Sequence, residues 1–279
     1  MMADPKLGHE GQRWRVQHPS AVKRSVPVLP VLALLGLYGA AIHAPPSWGT
    51  STLLTMSAVT LTCPFLGSVH GFHVGLIGTM HLACIIVPPL AAVWPLSGVV
   101  AVGVYIGIVS SWRRLSQSSG WEGWKPPRGS DLVWTGIVGL VGFSLIVGWV
   151  WVVRPGLSGQ VASIPQASPI ALVFAALVFA LLNSLAEEAV FRGVFLHALN
   201  ATLGSRNTAL TLQAAVFGLM HGRGFPSGPS GMLIAGVIGL AFGELRLRTG
   251  GILAPWLAHA IVNTLMILFL AILAGGTAP

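Results

Sequence analysis

Long apolar runs, interrupted by proline and glycine rather than by charge, organise the first half of the chain. Prolines 45 and 46, the glycine-rich stretch 67–75, and prolines 88, 89 and 95 mark the interruptions. Each run has about the 20 residues that an α-helix needs to cross a bilayer. We therefore predict four N-terminal spans, at residues 27–43, 50–68, 72–91 and 95–112.

The second half repeats this pattern with longer runs. The clearest run, 132–153, ends in two tryptophans, Trp149 and Trp151, which are typical of a membrane interface. Further helices are predicted at 169–200, 207–221, 231–247 and 251–274. Because lipid-exposed backbone must be hydrogen-bonded internally, and these runs are too long for barrel strands, the fold class is all-α. We predict a polytopic transmembrane helical bundle of about eight to nine spans.

Composition supports an integral membrane protein. Of the 279 residues, 54% are hydrophobic and 8% charged, whereas soluble domains carry about 25% charged residues. The net charge of +8 is concentrated at residues 1–24 and 113–128. This is the positive-inside pattern, so we predict a cytoplasmic N-terminus. No aromatic platform accompanies the basic residues, which argues against nucleic acid as a partner.

The chain divides into three parts on this reading. Residues 1–26 form a basic cytoplasmic tail, 27–153 the N-terminal transmembrane helices, and 154–279 the core that carries the candidate chemistry. The Ala/Gly/Val-rich, lysine-poor composition favours a bacterial plasma membrane.

Several polar residues are expected to be structural. Glu244 and Arg248 are four residues apart on one helix and are predicted to pair. Three histidines in one segment are interpreted as packing or interfacial residues, with metal binding as the alternative: His70, His73 and His81. The two cysteines have no metal-type spacing and are expected to be small buried hydrophobes.

An acidic motif interrupts the run that begins near Pro169. Glu187 and Glu188 are adjacent, Arg192 follows, and the whole chain contains only seven Asp and Glu residues. Placing such groups in lipid costs about 2.5–3.5 kcal/mol each, so they indicate a functional site. Residues four apart share a helix face. Glu188 is therefore predicted to pair with Arg192, while Glu187 shares its face with Asn183 and can line a cavity.

Two further motifs follow on separate helices. Phe217 precedes His221 by four residues, and His259 precedes Asn263 by four, so that each pair lies on one helix face. Together with the acidic motif they supply a carboxylate, two imidazoles and an amide.

These side chains are suited to hydrolysis by an activated water. A carboxylate that lies in low-dielectric surroundings can act as a general base. An imidazole can hold the same water or protonate the leaving amine. A second histidine and an asparagine can stabilise an oxyanion. The same histidines and glutamate could instead bind zinc, although the chain lacks a His-Glu-x-x-His helix.

The three motifs in this order resemble the CAAX prenyl protease and bacteriocin-processing (CPBP, Abi) family of intramembrane endopeptidases. The resemblance extends over about residues 165–270 and includes Glu187-Glu188-Ala-Val-Phe-Arg192-Gly193 and Ala258-His259-Ala260. It implies an intramembrane endopeptidase that acts on a membrane-associated or lipid-anchored polypeptide.

The resemblance also implies a role for each residue. Glu187 would activate the water with His221, and His259 and Asn263 would hold the oxyanion. Glu188 and Arg192 would brace the site. No cofactor is expected. The alternative is a zinc protease with Glu187, His221 and His259 as ligands, and a non-catalytic immunity or transport protein of the same fold is a second alternative.

Overall fold

A computed structural model describes residues 27–120, 124–222 and 224–276, and within them it contains helices and no strands. The predicted basic tail, 1–26, lies outside the described residues. In chain order the helices are α1 (Val28–His43), α2 (Gly49–Thr62), α3 (Val69–Ile86), α4 (Pro88–Ala91), α5 (Leu96–Ser111), α6 (Arg113–Ser116), α7 (Ser130–Val153), α8 (Ser158–Ala162), α9 (Pro169–Glu188), α10 (Leu196–Leu203), α11 (Arg206–Met220), α12 (Gly228–Thr249) and α13 (Leu253–Gly276). A short 3₁₀ turn precedes α2, and a π-helical segment, Ala189–Phe195, joins α9 to α10.

The all-α membrane class is confirmed. Five helical stretches are long and apolar enough to cross a bilayer: Val69–Ile86, Ser130–Val153, Pro169–Leu203, Gly228–Thr249 and Leu253–Gly275. Two shorter apolar helices, α1 and α5, have 16 residues each. The span count of eight to nine is therefore not confirmed and stays a prediction.

Most predicted helix ends agree with local capping chemistry. The hydroxyl of Ser168 accepts a hydrogen bond from the Ala171 amide and Pro169 follows it, so that α9 begins where the apolar run begins. Gly204 and Gly250 have φ of +64° and +65° and end α10 and α12 in left-handed conformations that favour glycine. The predicted helix 50–68 is shorter, because turns replace it after Thr62.

The helices pack in two groups that meet along α9. In the N-terminal group, α1 and α2 pack on α3, and α3 packs on α5. In the C-terminal group, α13 lies between α7 and α9, and α12 packs on α7 and α11. The π-helical segment contacts α3 on one side and α11 and α12 on the other. The acidic motif therefore lies where the two groups meet.

The predicted pairing of Glu244 with Arg248 is wrong. Glu244 instead accepts hydrogen bonds from Arg206 on α11, at 2.6 and 2.7 Å, and Arg248 bonds Asp131 on α7 at 3.1 Å. Both arginines tie α12 to a neighbouring helix. Helix periodicity identified a pair that was possible within α12, but neighbouring helices offered closer partners.

Candidate active site

Two glutamates and an arginine are buried in the middle of the stretch Pro169–Leu203. Glu188 and Arg192 are 0% and 1% exposed, and Glu187 is 7% exposed. The helix changes to π geometry directly after Glu188. Such π-helical insertions are frequent at functional sites, since they shift side chains relative to a regular helix. The apolar run predicted one continuous helix over 169–200, and the π-helical geometry of Ala189–Phe195 was not predicted.

Two side chains, Arg192 and His259, contact the same oxygen of Glu188. Arg192 donates from Nη1 to Glu188 Oε1 at 2.8 Å, which confirms the predicted pair. It also donates from Nη2 to the Gly239 carbonyl on α12. His259 Nδ1 lies 2.8 Å from the same Oε1. The Arg192 guanidinium lies 4.3 Å from the centre of the Phe217 ring. Glu188 and Arg192 together thereby connect α9, the π-helical segment, α12 and α13.

Glu187 has different surroundings. Its Oε1 accepts a hydrogen bond from the Asn183 amide at 3.0 Å, one helical turn earlier. Its Oε2 is buried with no hydrogen-bond partner among the described residues, and it lies 3.8 Å from His259 Nε2. Glu188 Oε2 is likewise buried without a partner among the described residues, so the two glutamates differ in what bonds their Oε1 atoms rather than in having an unpartnered oxygen.

His259 and Asn263 lie on one face of α13, as predicted, and both are directed toward α9. His259 has Glu188 on one ring nitrogen and Glu187 on the other side of the ring. It also stacks on Phe242 with ring centres 4.9 Å apart. Asn263 donates to the Ser184 hydroxyl at 3.1 Å. Ser184 therefore holds the amide of Asn263 in place.

His221 follows α11 and approaches the same region from another side. Its Nδ1 lies 3.0 Å from the Phe217 carbonyl one turn back. Because a carbonyl only accepts, Nδ1 carries the proton of this bond. The Phe217 ring lies between the two imidazoles, 4.7 Å from His221 and 6.0 Å from His259.

The N-terminal helices contribute residues that the sequence analysis did not assign to the site. Trp94, between α4 and α5, donates from its indole N–H to Asn183 Oδ1 at 2.6 Å. His81 lies edge-on to Trp94, and its Nδ1 is 2.7 Å from the Tyr38 hydroxyl. The four-residue spacing of Asn183 and Glu187 indicated that these two residues share a helix face. Nothing in the sequence around Trp94 indicated that it contacts Asn183.

The three N-terminal histidines do not form one group. His81 packs against Trp94, which contacts the candidate site. His73 is bonded elsewhere: its Nδ1 lies 2.8 Å from the Tyr105 hydroxyl and its Nε2 lies 2.9 Å from the Ser118 hydroxyl. The His70 ring lies 5.6 Å from that of His197. We call His70, His73 and His197 the histidine cluster. Within the described ranges, no group of three His, Cys, Asp or Glu residues is arranged to hold a metal ion.

An apolar groove of about 520 Å³ lies beside the site but does not contain it. It runs between α7, α9 and α13, and its lining includes Leu140, Leu181 and Ile261. Ile261 lies about 200° around α13 from His259, at 100° per residue. The groove and the buried side chains therefore occupy opposite faces of α13.

Comparison with protein families gives one match. Residues 169–265 match the family described as type II CAAX prenyl endopeptidase Rce1-like. The matched segment is just over a third of the chain and contains all three motifs, so the family resemblance inferred from them is confirmed. No curated protein and no solved structure matches the chain.

The match supports a CAAX-type intramembrane protease in general terms. It begins at the first residue of α9 and ends in α13, two residues after Asn263. Trp94, Tyr38 and His81 lie outside it. The family-matched segment therefore contains the glutamates, Arg192 and the two histidines of the candidate site. The residues that pack against one side of this site lie outside the matched segment.

Proposed function

We propose that this protein is an intramembrane endopeptidase that hydrolyses a peptide bond in a membrane-associated or lipid-anchored polypeptide. The observation that carries the proposal is the contrast at the adjacent glutamates. Glu188 Oε1 is bonded by the buried Arg192 guanidinium and by His259, whereas Glu187 Oε1 accepts from the neutral Asn183 amide. Each glutamate has a second oxygen without a partner among the described residues, and that of Glu187 lies 3.8 Å from His259 Nε2.

Glu187 and His221 are proposed to hold the attacking water. Glu187 Oε2 accepts one proton of the water. The other is accepted by Nε2 of neutral His221, because its Nδ1 already donates to the Phe217 carbonyl. As the water oxygen attacks the peptide carbonyl, its proton passes to Glu187. Glu187 then returns that proton to the departing amine as the C–N bond breaks.

His259 and Asn263 are proposed to stabilise the oxyanion. Protonated His259 donates from Nδ1 to Glu188 and presents Nε2–H to the site. In that state two carboxylates, one guanidinium and one imidazolium balance in charge, which is the arrangement that a buried cluster favours. Asn263 supplies an amide next to it, held by Ser184. Donors placed in advance around a developing charge are the largest contribution in many hydrolases.

The proposed mechanism assigns no step to a metal. The described residues contain no group of three His, Cys, Asp or Glu side chains arranged to hold a metal ion. Peptidase activity is therefore expected to persist in EDTA. Loss of activity on chelation, restored by zinc, would replace this mechanism with the zinc alternative.

Cleavage of a defined probe tests the proposal. The full chain in proteoliposomes is mixed with an internally quenched peptide that ends in a farnesylated CAAX sequence, the motif that carries prenyl groups. Glu187→Gln keeps the shape of the side chain and removes the base. We expect the cleavage rate to fall roughly 10²–10⁴-fold, the usual contribution of a general base.

Glu244→Gln is the matched control, because it makes the same change at a half-exposed carboxylate paired with Arg206. It should retain the wild-type rate. Equal cleavage by wild type and Glu187→Gln would refute the glutamate mechanism. No cleavage by wild-type protein of this probe or of unprenylated membrane-anchored peptides would favour a non-catalytic role.

A further inference from the structure

We propose that Trp94 and Asn183 form a positioning relay that orients Glu187 from outside the family-matched segment. This inference rests on the proposed function, since it concerns the general base of that site. Neither residue touches the reacting atoms. Their role is to fix which carboxylate oxygen of Glu187 faces the water.

The relay has a defined polarity. The indole N–H of Trp94 can only donate, so the atom of Asn183 that faces it must be the amide oxygen, at 2.6 Å. The Asn183 NH₂ group is then directed to Glu187 Oε1, at 3.0 Å. Trp94 thereby decides the orientation of the Asn183 amide, which would otherwise have two nearly equivalent positions.

This polarity has a consequence for Glu187. A hydrogen bond from NH₂ stabilises the charged carboxylate, whereas the flipped amide would place two oxygens against each other. It also occupies Oε1, so that Oε2 is the oxygen left toward His259. The relay therefore selects the reactive atom of Glu187.

Packing holds Trp94 in this position. A Cβ added at Gly98 would lie 2.6 Å from the Trp94 ring and 3.0 Å from the Ala186 methyl, so glycine lets the ring and α9 approach α5. On its other side the indole meets the His81 ring, with centres 5.4 Å apart. The N-terminal helices therefore act on the site through a fixed aromatic side chain.

The test uses Trp94→Phe and Asn183→Ala, with Trp149→Phe as the matched control. Trp149 is also a packed indole that donates to a side chain, Ser230 at 3.0 Å, but it links α7 to α12. The first readout is the pH dependence of Glu187 modification by dicyclohexylcarbodiimide, which attacks protonated carboxyl groups. Mass spectrometry of the modified site measures it without any substrate.

We expect the pH midpoint of Glu187 modification to move upward by about one unit in Asn183→Ala, since the carboxylate loses a charge-assisted bond. Trp94→Phe should move it in the same direction by less, and Trp149→Phe should leave it unchanged. The double variant Trp94→Phe/Asn183→Ala should match Asn183→Ala alone, because the tryptophan acts through the asparagine.

With the farnesylated probe, kcat of Asn183→Ala should fall about tenfold with little change in KM, because the carboxylate is no longer held in position toward the water. Identical modification curves in wild type, Trp94→Phe and Asn183→Ala would overturn the relay, as would additive effects in the double variant. A purely structural role of Trp94 would lower the unfolding temperature and leave both curves and kcat unchanged. If the modification curves of the variants shift as expected but the wild-type protein cleaves no probe, the proposed function fails and the relay stands.

Discussion

Two groups of buried and half-buried histidines lie near the π-helical segment, and they differ in what surrounds them. His259 lies against Glu188 at 2.8 Å and near Glu187 at 3.8 Å. In the histidine cluster, His73 bonds the neutral hydroxyls of Tyr105 and Ser118. The comparison teaches that burial of imidazoles does not by itself indicate chemistry. A carboxylate within reach turns the ring into part of an acid–base site.

The histidine cluster instead joins polypeptide segments. Ser118 belongs to the turn after α6, and a Cβ at Gly120 would lie 2.5 Å from the Gly193 carbonyl and 2.6 Å from the His197 ring. Arg246 adds a bond to the Gly120 carbonyl at 3.1 Å. These contacts hold the turn against the π-helical segment. Substitutions in the two regions should therefore differ in their effects on stability and on kcat.

The largest effect is expected from the buried ion pair. Arg192→Met leaves Glu188 without its guanidinium at 0% exposure, and should lower the free energy of unfolding by about 3–5 kcal/mol. Denaturant titration in mixed micelles measures this change. Arg206→Met, which breaks a half-exposed pair, is the control and should lower it by about 0–1 kcal/mol. Similar losses for both variants would contradict the structural difference between these pairs.

The next effect is expected at the imidazole that faces both carboxylates. His259→Phe preserves the stacking on Phe242 and removes the proposed oxyanion donor, so kcat on the farnesylated probe should fall about 10²–10³-fold. The comparison is with His73→Phe, whose kcat should stay within about twofold of wild type because it touches no residue of the site. A large loss of kcat in His73→Phe would merge the two groups into one functional unit.

The smallest effect concerns the histidine cluster itself. His73→Phe removes two hydrogen bonds, to Tyr105 and Ser118, and should lower the free energy of unfolding by about 1–3 kcal/mol. The loss should be accompanied by faster proteolysis near residues 113–120, the turn that these bonds hold. Unchanged stability and unchanged proteolysis would show that the cluster does not secure that turn.

Much of the site was predictable from spacing alone, since residues four apart on a helix meet regardless of the rest of the fold. The pairs Glu188–Arg192 and Asn183–Glu187 are two such cases, and both are hydrogen-bonded in the structure. The apolar runs likewise predicted the helices, because lipid permits few other structures. The same local rule failed at Glu244, where Arg206 from another helix is the partner.

Only the tertiary structure decided the contacts that cross between helices. Nothing in the neighbouring sequence shows that Trp94 meets Asn183, that His259 bonds Glu188 rather than Glu187, or that His81 separates from His70 and His73. Such contacts depend on how deeply each helix lies and at what angle helices cross, which are properties of the whole packing. The sequence therefore determined which chemical groups the candidate site contains, and the packing determined which oxygen of each glutamate is hydrogen-bonded and by which partner.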